Sequence, residues 1–325
     1  VDENITVQEW MTKSQLSHSA RKGITILSIL ICDRPDKTNI NDFFGSVSAT
    51  LPKQMIEPNK WHELIEKHLR SKNVTITKNT KVDGIHKQGS GFIITTQDTK
   101  YGYQERKVCH KVFLCTQSNG IYPILKNSSH TIQNNWMPIE KMKKWSENTF
   151  YSGFGFQLHF DKALKYKKEW CWSCKGDWTV IILPVSNWLK KYSNDPDIKT
   201  VWSCCIVDMD TKSKRINKTA NECTRAEVID ECFSQIRESY MIPTPKITTI
   251  SNGLYKVNGK WVSKNSGYTK GTYGDLLMNG KVDNLFALGC FTKSHTNHIA
   301  YMVGAIDATA QYLSKYEKLT TNIFN

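Results

Sequence analysis

Apolar positions along this chain change their period several times, and each change predicts a different element. Near the start, Val7, Trp10 and Met11 fall on one helical face. Thr6-Val7-Gln8-Glu9 has the form of a capping box, in which the Thr and the Glu three places on satisfy each other's amides. A second apolar run over residues 24–32 predicts another helix, broken by Arg34-Pro35-Asp36. After Pro52 and Pro58, Trp61, Leu64, Ile65 and Leu69 recur at helical spacing. Short β-branched stretches then predict strands at 74–77, 82–86 and 92–96, and a buried strand at 112–115.

The pattern shifts again beyond residue 125. Residues 154–160 alternate apolar and polar as a half-buried strand does, and 178–184 and 201–209 read as further, hairpin-related strands. Thr224-Arg225-Ala226-Glu227 caps a helix that turns Val228, Ile229, Cys232, Phe233, Ile236 and Tyr240 inward. At the end, Asn284-Leu285-Phe286-Ala287-Leu288-Gly289 reads as an apolar strand closed by a Gly, followed by a polar loop and a helix opening around Gly304. Such a unit suits close approach of a ligand to backbone, because a Gly has no side chain to hold it off. The class predicted is α/β. Its segments are a helical part at 1–50, a helix-and-meander part at 51–125, a mixed sheet with a covering helix at 126–280, and a returning strand and helix at 281–325.

Composition narrows the function classes. The 325 residues are enough for a sizeable core in two lobes, and ten Trp, thirteen Tyr and twelve Phe argue for a folded chain. No apolar run reaches the roughly 18 residues that span a bilayer, so no membrane span is expected. The chain opens on Val1 rather than Met, which leaves the native start and any targeting segment open. Ten Cys without regular spacing imply reduced thiols and a cytoplasm-like compartment. The net charge of +14 is scattered through runs such as Lys141-Met142-Lys143-Lys144 and reads as solvated basic faces, with nucleic acid not expected as the specific partner. Cys171-Trp172-Ser173-Cys174 and His295-Thr296-Asn297-His298 lack the further ligands that a metal site needs. Gly-x-Ser-x-Gly, His-Glu-x-x-His and Walker patterns are all missing, against the hydrolase, zinc-protease and P-loop classes.

Taken in order, these pieces resemble the flavin-containing amine oxidase family, the monoamine and polyamine oxidase group. Phe286-Ala287-Leu288-Gly289 with Ala300-Tyr301-Met302-Val303-Gly304-Ala305 is similar to that family's closing signature. Residues 59–85 resemble its helix and strand leading to the adenosine end of FAD, with Lys81-Val82-Asp83 near the adenine, and 112–116 resembles the return strand passing the pyrophosphate. Gly259-Lys260-Trp261 and Ser266-Gly267-Tyr268-Thr269 are similar to the segment that places aromatic rings beside the isoalloxazine. The resemblance implies an amine-oxidase-like two-lobe fold, a partial dinucleotide-binding domain plus a mixed-sheet substrate domain, with FAD held non-covalently between the lobes. Val82, Trp261, Gly289, Cys290 and Met302 would contact the cofactor. Tyr268 and Tyr301 would bracket a small-molecule amine, with O₂ as the electron acceptor. Read from the residues alone, the two Tyr are packed core aromatics.

Three departures imply an alternative, and a further difference, at Gly267, bears on how flavin would be attached. No Gly-x-Gly-x-x-Gly follows a strand anywhere in these residues. The flavin-side Lys of the family falls near Gly155 or Phe156, where no Lys stands; Lys162 and Lys165 lie beyond the strand. Cys290 and Val303 replace acidic residues, and Gly267 stands where some relatives carry the Cys of a covalent flavin link. The alternative is a catalytically degenerate relative, serving with protein partners as a structural or interaction component of a larger assembly.

Overall fold

The computed structural model describes residues 5–31, 34–41, 43–44, 58–151, 153–164, 172–174, 176–189, 196–263, 268–269, 276–293 and 302–319. Helices and strands are interspersed through them, so the chain is of mixed α/β class. None of the described helices is long and apolar enough to cross a membrane. Two compact units divide the chain: Val1–Phe43, Ala49–Val74 and Ser152–Gly267 make one, and Phe44–Ser48, Thr75–Tyr151 and Tyr268–Asn325 make the other. The sequence pattern placed its later breaks after 125 and 280. Helices at Ser118–Lys126, His130–Gln133 and Ile139–Thr149 explain the first difference, because they share one core with the strands of the second unit.

In the first unit the alternating stretch is strand Phe154–Phe160, inside a five-stranded antiparallel sheet. Its neighbours are Ile247–Ile250 on one side and Thr200–Ile206 on the other, followed by Ile181–Leu183 and Trp172–Ser173. Alternation sends Phe154, Phe156, Leu158 and Phe160 to one face, where they are fully buried with Trp202, Cys204 and Ile206. Burying each such large apolar side chain stabilises by about 1.5–3 kcal/mol. Helix Arg225–Ser239 covers that face with Val228, Cys232 and Ile236. The expected capping box is present: Thr224 N donates to Glu227 Oε2 at 2.7 Å and Glu227 N to Thr224 Oγ1 at 3.3 Å. Lys218 also donates to Glu227, and with the Thr224 bonds it draws that carboxyl down to a pKa of about 2.

The N-terminal helices also form as read. Val7–Lys13 is capped by Thr6 and Glu9, and its Val7 and Met11 pack on Ile40 and Phe43. His18–Ile31 begins earlier than the apolar run suggested. The turn after it is tied to the 208–211 loop through Arg34 to Thr211 at 3.2 Å and Lys37 to Asp210 at 2.5 Å. Helix Pro58–Ser71 has the expected period, yet Leu64 is 59% and Ile65 39% exposed. Residues 74–77 are not a strand. Val74 N donates to Leu69 O at 3.1 Å, so the first amide of that stretch closes the preceding helix instead of joining a ladder. Of 178–184 only Ile181–Leu183 is strand, and of 201–209 the strand is Thr200–Ile206.

The second unit starts with the meander Thr80–Gln88, Gly91–Asp98 and Gln104–Cys109. A register shift between Val82 and Gly84 lets Asn127 O approach so closely that a Cβ on Gly84 would lie 2.6 Å from it. Val112–Leu114 then pairs in parallel with Leu285–Ala287. Ile85, Phe92, Ile121, Leu125, Met142 and Trp145 pack with Leu114, Leu285 and Ala287 in one core. Backbone pairing of Tyr268–Thr269 with Phe150–Tyr151 adds a short antiparallel ladder. Helix Met302–Tyr316 places Ala308 and Tyr312 against Phe286 and Leu288.

Candidate functional site

The strand-to-turn segment 285–292 lies at the carboxyl end of the parallel pair, where ligands gather in open α/β sheets. Leu288 N donates to Leu114 O at 3.0 Å, extending the pairing by one residue. Gly289 N then donates to Thr292 Oγ1 at 3.0 Å, and that hydroxyl donates to Ala287 O at 3.0 Å. A Cβ on Gly289 would meet Phe291 Cε1 at 2.4 Å, and the Phe291 ring stands edge-on to Trp145 with centroids 5.7 Å apart. Gly289 is therefore required by its neighbour's ring, and its amide is engaged within the turn. Cys290 and Val82 are half-buried, and both pack against the same core.

These contacts test how a flavin dinucleotide would fit. The apolar side chains of the turn, Ala287, Leu288 and Phe291, are buried in the chain's own cores, and Gly289 N–H is directed at Thr292. This arrangement does not supply a phosphate cradle at Gly289, and half-buried Cys290 and Val82 are the partly exposed groups beside it. Met302 opens helix Met302–Tyr316, and Tyr268 pairs through its backbone with Tyr151. The side chains of Met302 and Tyr268 lie outside the described residues, as do Tyr301, Val303, Gly267, and His295 with His298.

Trp261 belongs to the first unit and has a packing role there. Its indole Nε1 donates to Ala220 O at 3.1 Å and its backbone N to Asn221 Oδ1 at 3.0 Å. Phe154 meets the ring edge-on at 5.3 Å, and Lys256 Nζ sits 4.9 Å from the ring centroid. At the position expected for a flavin-side Lys, Phe156 is buried in the sheet core, while Lys162 is exposed beyond the strand's end.

Three of the described thiols are buried and held protonated. Burial pushes the Cys174 thiol up to about 11, and Cys204 and Cys232 well above their ordinary value. A thiol that stays protonated is a poor nucleophile and a poor ligand. Cys171, the other half of the Cys-x-x-Cys pattern, lies outside the described residues. Among the described residues no group of His, Cys, Asp and Glu could hold a metal ion.

The first unit also holds a buried polar network centred on Glu231. Glu231, 2% exposed, accepts from Ser213 Oγ at 2.7 Å, from Gln235 Nε2 at 2.8 Å and from Arg215 Nε. Gln235 Oε1 in turn accepts from Trp178 N at 3.1 Å. The signal was available: Glu231 and Gln235 stand four apart, each next to an apolar position that faces the core.

No protein-family model matches this chain, and no curated protein matches it. Its chemistry must be argued from its own residues.

Proposed function

We propose that this chain is a flavin-dependent oxidoreductase of the amine-oxidase type, with a two-lobe amine-oxidase-like fold. FAD would be held non-covalently, a small amine would be the electron donor and O₂ the acceptor. The supporting observation is the parallel pairing of Val112–Leu114 with Leu285–Ala287, closed at its carboxyl end by the Gly289 turn and followed by helix Met302–Tyr316. Val82, Cys290 and Met302 would hold the cofactor beside the Gly289 turn. Bound flavin would supply the hydride acceptor. Tyr268 and Tyr301 would exclude water and orient the amine nitrogen against their rings. Trp261, with its indole N–H and ring already engaged, has no part in this assignment.

The test is the visible absorbance of the purified protein, followed by denaturation and quantification of released flavin. Stoichiometric flavin supports the proposal. A colourless protein that stays colourless after incubation with FAD overturns it.

A second reading, a catalytically degenerate relative acting with protein partners, is favoured by two features. Gly289 N–H is engaged by Thr292, and a buried Phe156 stands where the family carries a Lys. On this reading, flavin binding is absent and the native protein co-purifies in a complex of defined stoichiometry. Amine-dependent bleaching of a bound flavin would exclude it.

A further inference from the structure

The first unit contains a cavity of about 750 Å³, within the size range of small-molecule sites. None of the residues assigned above to cofactor or amine contributes to its lining. One wall is helix His18–Ile31, which contributes His18, Arg21, Lys22 and Thr25. That spacing of three, four and seven puts all four side chains on one helical face. The facing wall comes from helix Arg225–Ser239, where Glu231, Gln235 and Glu238 follow the same spacing, and from Asp177.

The floor between these walls is fixed and internally satisfied. Glu231, Gln235, Ser213 and Arg215 bond one another as described, and Arg215 also pairs with Asp230 at 2.5 Å. A Cβ on Gly176 would lie 2.2 Å from Gln235 Oε1, so the loop closing over Gln235 needs a Gly there. Thr179, also lining the cavity, has φ of +50°, an outlier for a β-branched residue. Strained backbone of this kind clusters at ligand sites.

The groups nearer the mouth are not used up in this way. Arg21 donates Nε–H to Leu16 O at 3.0 Å, which anchors the guanidinium and leaves its terminal nitrogens for a ligand. Lys22 and Glu238 make no ion pair among the described residues. Asp177, by contrast, is already engaged: it accepts from Lys214 N at 2.7 Å and pairs with the Lys214 ammonium at 3.8 Å. Arg21 and Lys22 on one helix and Glu238 on the other thus line the cavity without an ion pair between them among the described residues, while the cations Lys214 and Arg215 are paired with Asp177 and Glu231.

We propose that this cavity binds a small zwitterion whose anionic and ammonium groups are several bonds apart, the class of ω-amino acids and dipeptides. The anionic group sits on Arg21 and Lys22, and the ammonium on Glu238. A ligand with only one charge leaves one wall unanswered. This assignment is independent of the flavin reading.

The experiment is calorimetric titration of the full chain with 6-aminohexanoate, hexanoate and hexylamine, three probes with matched stems. The expected result is that 6-aminohexanoate binds at least about tenfold more tightly than either singly charged probe, because it alone adds a charge-assisted contact at each wall. Glu238→Gln should reduce its affinity to that of hexanoate, and Arg21→Ala with Lys22→Ala should reduce it to that of hexylamine. Lys22 and Glu238 are exposed and Arg21 partly so, and folding of each variant is verified by its circular dichroism. Equal binding of hexanoate and 6-aminohexanoate would overturn the proposal in favour of a plain anion site. No binding of any probe, or variants that bind as the wild type does, would overturn it outright.

Discussion

Removing the Glu231 carboxylate tests the first unit's architecture most directly. In Glu231→Ala, the Ser213 hydroxyl and the Gln235 amide remain 1% and 3% exposed and lose their acceptor. Each orphaned group costs about 1–3 kcal/mol. Arg215 is 42% exposed and regains water, so the larger penalty of a buried unpaired charge does not apply to it. Water admitted by the truncation offsets part of the sum, for a net loss of about 2–4 kcal/mol. For a unit of this size that lowers the thermal midpoint by roughly 5–12 °C. Glu231→Gln keeps one acceptor oxygen and should lose about half as much.

The acid limb adds a second readout. Burial opposes ionisation of Glu231, but the bonds from Gln235, Ser213 and Arg215 outweigh it and hold the pKa below its ordinary value. A carboxyl depressed in the folded state contributes stability above its unfolded pKa of about 4.3 and loses it as pH falls through the folded value. The wild-type midpoint should therefore fall more steeply below about pH 4.3 than that of Glu231→Gln, which has no such proton to take up. Scanning calorimetry with tryptophan fluorescence, at neutral pH and down to about pH 3, measures both effects. A Glu231→Ala midpoint equal to wild type, or parallel acid limbs, would refute the reasoning.

Three further outcomes are expected. Thr224→Ala removes one half of the reciprocal cap on helix Arg225–Ser239 and should cost about 1 kcal/mol in urea unfolding, while Thr224→Asp stays close to wild type. Gly289→Ala drives a Cβ to 2.4 Å from the Phe291 ring and should destabilise by about 1–3 kcal/mol. Adding Phe291→Leu should recover part of that loss, and a Gly289→Ala protein as stable as wild type would show that the turn is looser than described. Cys174, Cys204 and Cys232 should resist an aromatic disulfide reagent in the native protein and react once it is unfolded. Peptide mapping that finds any of them modified within the native burst would contradict their burial.

What was legible in the sequence was local or one-sided. The caps at Thr6 with Glu9 and Thr224 with Glu227 involve residues three apart, so the spacing contains the whole interaction. Phe154–Phe160 was legible because one face of that strand is buried along its length. Residues 74–77 misled because their β-branched composition says nothing of where the first amide goes, and Val74 N closes a helix. Leu64 and Ile65 announced their helix but not how much of its apolar face is covered. Sequence order could not show that Ala220, Asn221 and Phe154 hold Trp261 in place. The cavity in the first unit was illegible for a similar reason. Its walls come from residues 18–26, 174–179, 214–215 and 231–238, and no single segment carries its charge pattern.

Gly289 shows where residue identity stops short of function. A Gly at the end of an apolar strand suggests a ligand, because a bare Cα lets one approach. In this chain the space is taken by Phe291, and the amide that could meet a phosphate is directed at Thr292. Packing alone therefore accounts for the residue, and Gly289 supports a cofactor only through the position of its turn at the carboxyl end of the parallel strands. The flavin reading rests on that topology, and released flavin is its decisive measurement. The first-unit cavity rests on different residues: Arg21 and Lys22 on one helix and Glu238 on the other, with no ion pair between them among the described residues. Either proposal can fail without weakening the other.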